Sequence, residues 1–227
     1  MKNIKMLTGN NTHPGSGPLE AHEDEIKLFS LIADLTQNKK NPVMIELGCF
    51  WALWSLIFRT KYPEAKNILV ELGARALDVG QQNFKMNEYS YTSYHGGVYR
   101  NYSGTFQSNE CNYEKEPGYW NDDITGECNG PELDFFNIWE KEKLEIVDML
   151  HADIQGSEYP LIVDLQSRGF LKDKKIKTFM IATHHPIIHD NVKKALVENG
   201  YNLVFEAPFG SMGGDGMICA TVEPVQQ

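Results

Sequence analysis

Apolar residues along the chain follow two periods that alternate. Between Leu19 and Asn38, Ile26, Phe29, Ile32, Ala33 and Leu35 recur at helical spacing. Glu20, Glu23, Asp24 and Glu25 crowd the first turns, where the helix dipole favours acids. A short apolar run, Val43–Leu47, then reads as a buried strand, and Trp51–Thr60 as a helix. The alternation continues with a strand at Asn67–Leu72, a helix at Ala76–Asn87 and a strand at Tyr89–Val98. After a long interval it resumes with strand Ile146–Ile154, helix Ser157–Arg168, strand Lys175–Thr183 and helix Ile187–Asn199. Strands at Tyr201–Ala207 and Met217–Val222 close the series. Strands separated by helices predict an α/β fold: a doubly wound sheet, early strands parallel, helices on both faces. The last two strands have no helix between them and are expected to pair antiparallel, completing a seven-stranded mixed sheet.

Two segments interrupt this order. Residues 1–18 are rich in Gly, Asn and Pro and are expected to form a flexible arm, with 19–227 as one domain. The interval 99–145 is too long for an ordinary connection and contains "NECNYEKEPGYWNDDITGECNGPELDFF", dense in turn residues and aromatics, with a short helix expected at Leu133–Lys143. Long connections kept in compact domains often cover binding sites. Tyr113, Tyr119 and Trp120 suit stacking against an apolar sugar face, and Asp122 and Asp123 suit binding of hydroxyls. The competing reading is an embellishment packed on the surface.

Composition narrows the partners. With 227 residues, 41% of them hydrophobic, the chain can bury one sizeable core. Its formal charge of −10 repels a phosphate backbone. The basic clusters are limited to Lys39–Lys40 and Lys172–Lys175, so a nucleic-acid partner is not expected. No stretch approaches the roughly 18 apolar residues that span a bilayer, and the N-terminus lacks the apolar centre of a signal peptide; a cytoplasmic protein is expected. Cys49 and Cys219 fall in core elements, whereas Cys111 and Cys128 lie in the long interval without a Cys-x-x-Cys neighbour.

Ligands of open parallel sheets bind beyond the carboxyl ends of the strands. Polar or glycine clusters occur at five such ends: Glu46-Leu47-Gly48, Glu71, "HGG" at His95–Gly97, "DIQGSE" at Asp153–Glu158, and Thr183-His184-His185. Gly48 lets the chain turn from strand to helix. The Gly-x-Gly-x-x-Gly fingerprint of dinucleotide sites is missing, with Trp51 where a glycine belongs, which argues against a pyrophosphate. Glu71 ends the second strand 23 residues beyond Gly48, where an acid accepts hydrogen bonds from ribose hydroxyls. An adenosine ligand without phosphate fits both facts, and S-adenosylmethionine is such a cofactor.

"MIELGCFWALWS" resembles the first motif of class I methyltransferases, with Ala52 in place of the last glycine, a replacement that a negative φ allows. "LVELGARALDVGQQNFKMN" is similar to their second-strand acid and following helix. "VDMLHADIQGSEYPLI", "FMIATHHPIIHDNVKKALVENGYNLVFE" and "GGDGMICATV" resemble the FkbM-like methyltransferases, the Asp153–Glu158 block most specifically. The likeness covers about Pro42–Val98 and Glu145–Val222. It implies a Rossmann-like class I methyltransferase fold and an S-adenosylmethionine-dependent O-methyltransferase acting on a hydroxyl of a sugar or glycan. Glu46, Gly48, Cys49, Trp51, Glu71, Leu72, His95, Gly96 and Asp153 would line the cofactor site. Asp153, His184 and His185 would serve catalysis as base or orienting groups. Asp153 and His184 would be the ligands if a divalent Mg or Mn ion took part. Glu158 is expected to orient Asp153 or a backbone amide, and His189 to lie on the following helix, exposed or capping. Rival readings are a small-molecule (phenol or polyketide) O-methyltransferase, a nicotinamide-dependent oxidoreductase and a non-catalytic module of the same fold.

Overall fold

The computed structural model describes residues 4–7, 23–36, 40–99, 104–107, 112–115, 130–212 and 214–223. Helix α1 (Glu23–Asp34) precedes strand β1 (Val43–Leu47), which is followed by α2 (Leu53–Lys61), β2 (Lys66–Glu71), α3 (Ala74–Met86) and β3 (Thr92–His95). Short strands β4 (Gly97–Val98), β5 (Gly104–Gln107), β6 (Asn112–Lys115) and β7 (Glu132–Leu133) come next. The chain then runs through α4 (Phe135–Lys141), β8 (Val147–Ala152), α5 (Glu158–Ser167), β9 (Ile176–Thr183), α6 (Pro186–Glu198), β10 (Asn202–Met212) and β11 (Asp215–Thr221).

Seven strands form one sheet in the order β10-β11-β9-β8-β1-β2-β3. The neighbours from β9 through β8, β1 and β2 to β3 are parallel, and β11 is antiparallel to both β9 and β10. The expected mixed sheet is therefore present, with the helix-free pair antiparallel. Apolar residues cover both faces, as a central parallel sheet requires. On one face Ile45, Leu47, Val70, Leu150 and Phe179 pack with residues of α4, α5 and α6. On the other, Met44, Met149 and Met180 lie under Phe29 and Ile32 of α1 and Phe58 of α2, while Leu69 meets Leu77 and Phe84 of α3. Among the described residues no helix is long and apolar enough to cross a membrane.

The structure departs from the sequence reading at the third strand. The expected run Tyr89–Val98 is two strands, because Gly96 (φ +145°) turns the chain after His95. A Cβ at Gly96 would meet the Pro131 carbonyl at 2.5 Å, so the return of the long interval fits only over glycine. Gly97 and Val98 then pair with Glu132 and Leu133. The expected helix there is α4, capped by the Asp134 carboxylate, which accepts from the Phe136 and Asn137 amides. β5 and β6 form an antiparallel pair within the interval. The side chain of Tyr113, and Tyr119, Trp120, Asp122, Asp123, Cys111 and Cys128, lie outside the described residues. So does most of the expected arm, but Ile4–Leu7 is held: Asn83 of α3 bonds the backbone of Leu7, and Asn87, the C-cap of α3, that of Lys5.

Candidate functional site

Three strand ends meet at the carboxyl edge of the sheet. Gly48 has φ +72°, and a Cβ there would overlap the Asp153 carbonyl, so the turn after β1 and the turn after β8 can approach only over glycine. Backbone bonds tie these ends together: Gly48 and Cys49 amides donate to the Val70 carbonyl at 2.9 and 3.0 Å, and the Asp153 amide to the Leu47 carbonyl at 3.0 Å. Glu71 closes the corner, its carboxylate accepting from the Phe50 amide at 2.8 Å and the Gly73 amide at 2.8 Å. A carboxylate oxygen offers two lone-pair directions, so each retains an acceptor position after those bonds. Burial raises the Glu71 pKa above the usual carboxylate value, against the pull of the Gly73, Phe50 and Leu72 amides.

The turn itself is left-handed at two non-glycine residues, Phe50 (φ 47°) and Ala52 (φ 61°). The negative φ expected at Ala52 is thus not what the chain adopts. Ala52 is fully buried as the residue preceding α2, and its small methyl fits against Gly80 of α3. Trp51 stacks on Phe50 with ring centroids 4.4 Å apart, and Cys49 is buried with its thiol pKa pushed well up by desolvation. His95, the last residue of β3, is exposed and its Nε2 lies 3.1 Å from the Leu72 carbonyl oxygen, which keeps Leu72, His95 and Gly96 beside Glu71. Glu46 is placed differently. It is fully buried, accepts from the Ser55 amide at 2.9 Å, and leaves Oε1 without a hydrogen-bond partner. Burial pushes its pKa up to about 8. In register beside it on β8 is His151, also buried, whose Nδ1 has no partner and whose pKa burial lowers to about 4.

The second group is built around His184, which follows β9. Its Nδ1 lies 3.0 Å from Glu158 Oε1 and its Nε2 3.2 Å from Asp153 Oδ1, with Asp215 Oδ2 3.7 Å away. Glu158 is wholly buried and also accepts from the Ile154 and Gly156 amides at 2.9 and 2.7 Å, so it shapes the loop that carries Asp153. This is the orienting role the sequence suggested for it. Burial works to lower the His184 pKa, but Glu158 and Asp153 outweigh it and hold the ring well above its ordinary value, as an imidazolium. Burial likewise works to raise Asp153, and the bond and charge of His184 outweigh it, so Asp153 stays below the usual range. Asp215 goes the other way, raised by burial. The Asp153 and Asp215 side chains keep 39% and 42% of their surface exposed, whereas His184 keeps 9%. The carboxylates therefore form the open lip of the site, and the cation its floor.

This arrangement does not suit the expected metal ion. Both imidazole nitrogens face carboxylates, so neither is turned to an open position. Among the described residues no group of three or more His, Cys, Asp and Glu side chains is arranged to hold a metal. His185 caps α6, its Nδ1 accepting from the Ile187 amide at 3.2 Å, and burial lowers its pKa. His189 is neither exposed nor capping. It is buried on α6 between Thr183 Oγ1 (2.8 Å from Nδ1) and Glu206 Oε1 (3.4 Å from Nε2), because Gly216 lets β11 close over it. Asp215 and His151 escaped the sequence reading for simple reasons. β11 runs antiparallel, so its first residue, not its last, reaches the site edge; the acid between two glycines in "GGDG" was the available signal. His151 lies inside a strand, one alternation before Asp153.

No family model matches the chain, and no curated protein matches it. Solved structures do. The methyltransferase domain of METTL16 superposes with a TM-score of 0.58 at 10% identity, over 97% of this chain and 73% of that one. Precorrin-6y C5,15-methyltransferase from Geobacter metallireducens gives 0.53 at 11% identity, over 96% and 94%. Fibrillarin from Aeropyrum pernix, in complex with natively bound S-adenosyl-L-methionine, gives 0.50 at 16% identity, over 85% and 74%. Identities this low speak for architecture alone. Together with the strand order and the helices on both faces, they show that this chain adopts the Rossmann-like fold of the class I methyltransferases.

Proposed function

We propose that the protein is an S-adenosylmethionine-dependent O-methyltransferase acting on a hydroxyl of a sugar or glycan. The observation that carries the cofactor is Glu71, an acid at the end of β2 tied to the glycine turn after β1, on a fold whose fibrillarin neighbour binds S-adenosyl-L-methionine. The remaining acceptor positions of its carboxylate fit a pair of ribose hydroxyls. When bound, the cofactor supplies an activated methyl group. The support for a hydroxyl acceptor is the lip of two half-exposed carboxylates, which accept hydrogen bonds from neighbouring hydroxyls, together with the resemblance of "DIQGSE" to the FkbM-like enzymes.

In this reading Asp153 orients the acceptor hydroxyl. Asp215, with its raised pKa, is the stronger base of the two and takes the hydroxyl proton. His184 acts as a fixed cation that keeps the two carboxylates in place, instead of as the base. Calorimetry with S-adenosylmethionine, S-adenosylhomocysteine and NAD tests the cofactor: binding of NAD alone would sink the proposal. Transfer of a labelled methyl group to a panel of glycans and phenols tests the acceptor, and labelling confined to phenols would overturn the sugar assignment.

A further inference from the structure

Asn83 of α3 is fully buried and its side-chain amide makes three hydrogen bonds. Oδ1 accepts from the Leu7 amide at 2.6 Å, and Nδ2 donates to the Leu7 carbonyl at 3.1 Å and the Trp51 carbonyl at 3.0 Å. One side chain thus joins the extended N-terminal segment to the turn after β1. Trp51 sits between two left-handed residues, Phe50 and Ala52. Such a turn persists only where its surroundings hold it. The restraints are the Glu71 carboxylate on the Phe50 amide, and Asn83 on the Trp51 carbonyl. One helical turn before Asn83, Gly80 presses on the same turn; a Cβ there would stand 3.2 Å from the Phe50 carbonyl oxygen.

We propose that Asn83 is a positioning residue that sets the shape of the cofactor turn and couples it to docking of the N-terminal segment, so that cofactor and segment stabilise one another. The coupling is reciprocal by linkage: what steadies the turn steadies Leu7, and the reverse. The inference rests on the reading that S-adenosylmethionine binds against this turn. It is separable from that reading because the shape of the turn is measurable without ligand.

The test uses the full-length chain. Asn83→Leu removes all three bonds while keeping the branching and the number of side-chain heavy atoms, and it does not lower helix propensity. Leu7→Pro removes only the Leu7 amide and leaves the Trp51 bond in place, and it serves if the first variant fails to fold. Asn83→Leu is expected to weaken S-adenosylhomocysteine binding by about tenfold, the effect of one lost hydrogen bond near 1.4 kcal/mol. It also speeds hydrogen exchange across Gly48–Leu53 in the free protein. Leu7→Pro is expected to speed exchange in the same segment to a smaller extent, with about threefold weaker binding. In the unsubstituted protein, saturation with S-adenosylhomocysteine slows exchange of the Leu7 amide. Unchanged exchange at Gly48–Leu53 in the folded variants overturns the proposal. Failure of the unsubstituted protein to bind S-adenosylhomocysteine strikes the cofactor reading instead, and the exchange comparison alone then decides the role of Asn83.

Discussion

Glu158 and His184 are a buried pair in which one carboxylate does two jobs: Oε1 lies 3.0 Å from the imidazole Nδ1, and the same group holds the amides of Ile154 and Gly156. One side chain therefore holds the loop carrying Asp153 and, together with Asp153, maintains the charge on His184.

Replacing that side chain by Glu158→Gln leaves the imidazole without its buried counter-charge. A loss of about 3 kcal/mol in unfolding free energy is expected near pH 6, the lower range for breaking a buried pair. His184 has its folded pKa raised above 6.5, so its contribution is complete below 6.5 and fades as the pH rises through the folded value. Denaturant unfolding at a series of pH values should show the gap between variant and parent narrowing on the alkaline side. A gap that widens there would contradict the imidazolium assignment.

Glu46 offers the opposite experiment. Its pKa rises from 4.5 to about 8 on folding, so the folded state is penalised as the pH climbs between those values. The penalty grows by about 1.4 kcal/mol per pH unit and reaches about 3 kcal/mol at pH 7. Glu46→Gln keeps an acceptor for the Ser55 amide and removes the titration. It is expected to be more stable than the parent at pH 7 by up to about 3 kcal/mol, and indistinguishable from it near pH 4.5. Equal stability at both pH values would show that Glu46 is ionised in the fold.

The turn after β1 separates two small substitutions. Ala52→Gly removes a Cβ from a left-handed residue and is expected to stabilise by about 1 kcal/mol. Gly48→Ala places a Cβ on the Asp153 carbonyl and is expected to destabilise by at least about 3 kcal/mol. Thermal and denaturant unfolding of the pair read both signs.

The ribose role proposed for Glu71 is open to calorimetry. Glu71→Ala is expected to weaken S-adenosylhomocysteine binding by about 1.5–3 kcal/mol, the range for hydrogen bonds to a charged group. Unchanged affinity in a folded variant removes Glu71 from the ribose role.

The sheet was largely legible because its strands are short apolar runs bounded by glycine and polar residues. Val43–Leu47 is the clearest case, with the same bounds in the sequence and the structure. Tyr89–Val98 was misjudged because local pattern carries no sign of the partner: Gly97 and Val98 pair with residues that return only at Glu132 and Leu133. The candidate site divides similarly. Glu71, Asp153, Glu158 and His184 lie at strand and helix ends, where chain position predicts their meeting. The charge on His184 depends on Asp153 after β8 and Glu158 at the start of α5, and the burial of His189 on Thr183, Glu206 and Gly216, which no spacing rule brings together.

The order of the sheet also bears on how the chain assembles. β1 to β3 form one run of neighbours and β8 to β11 another, and the two runs meet only at the β1–β8 seam. Across that seam the Val43 amide bonds Asp148, 105 residues away, and Glu46 lies beside His151. Pairings so distant in sequence carry the largest closure entropy and form slowly. The two halves are therefore expected to gain structure before they join, and in pulsed hydrogen exchange the Asp153 amide, which donates to the Leu47 carbonyl across the seam, should be protected after those of Leu69 and Met180. Simultaneous protection would refute this order. The residues that would bind cofactor and acceptor stand on opposite sides of the seam, so the site comes into being at the last step of folding.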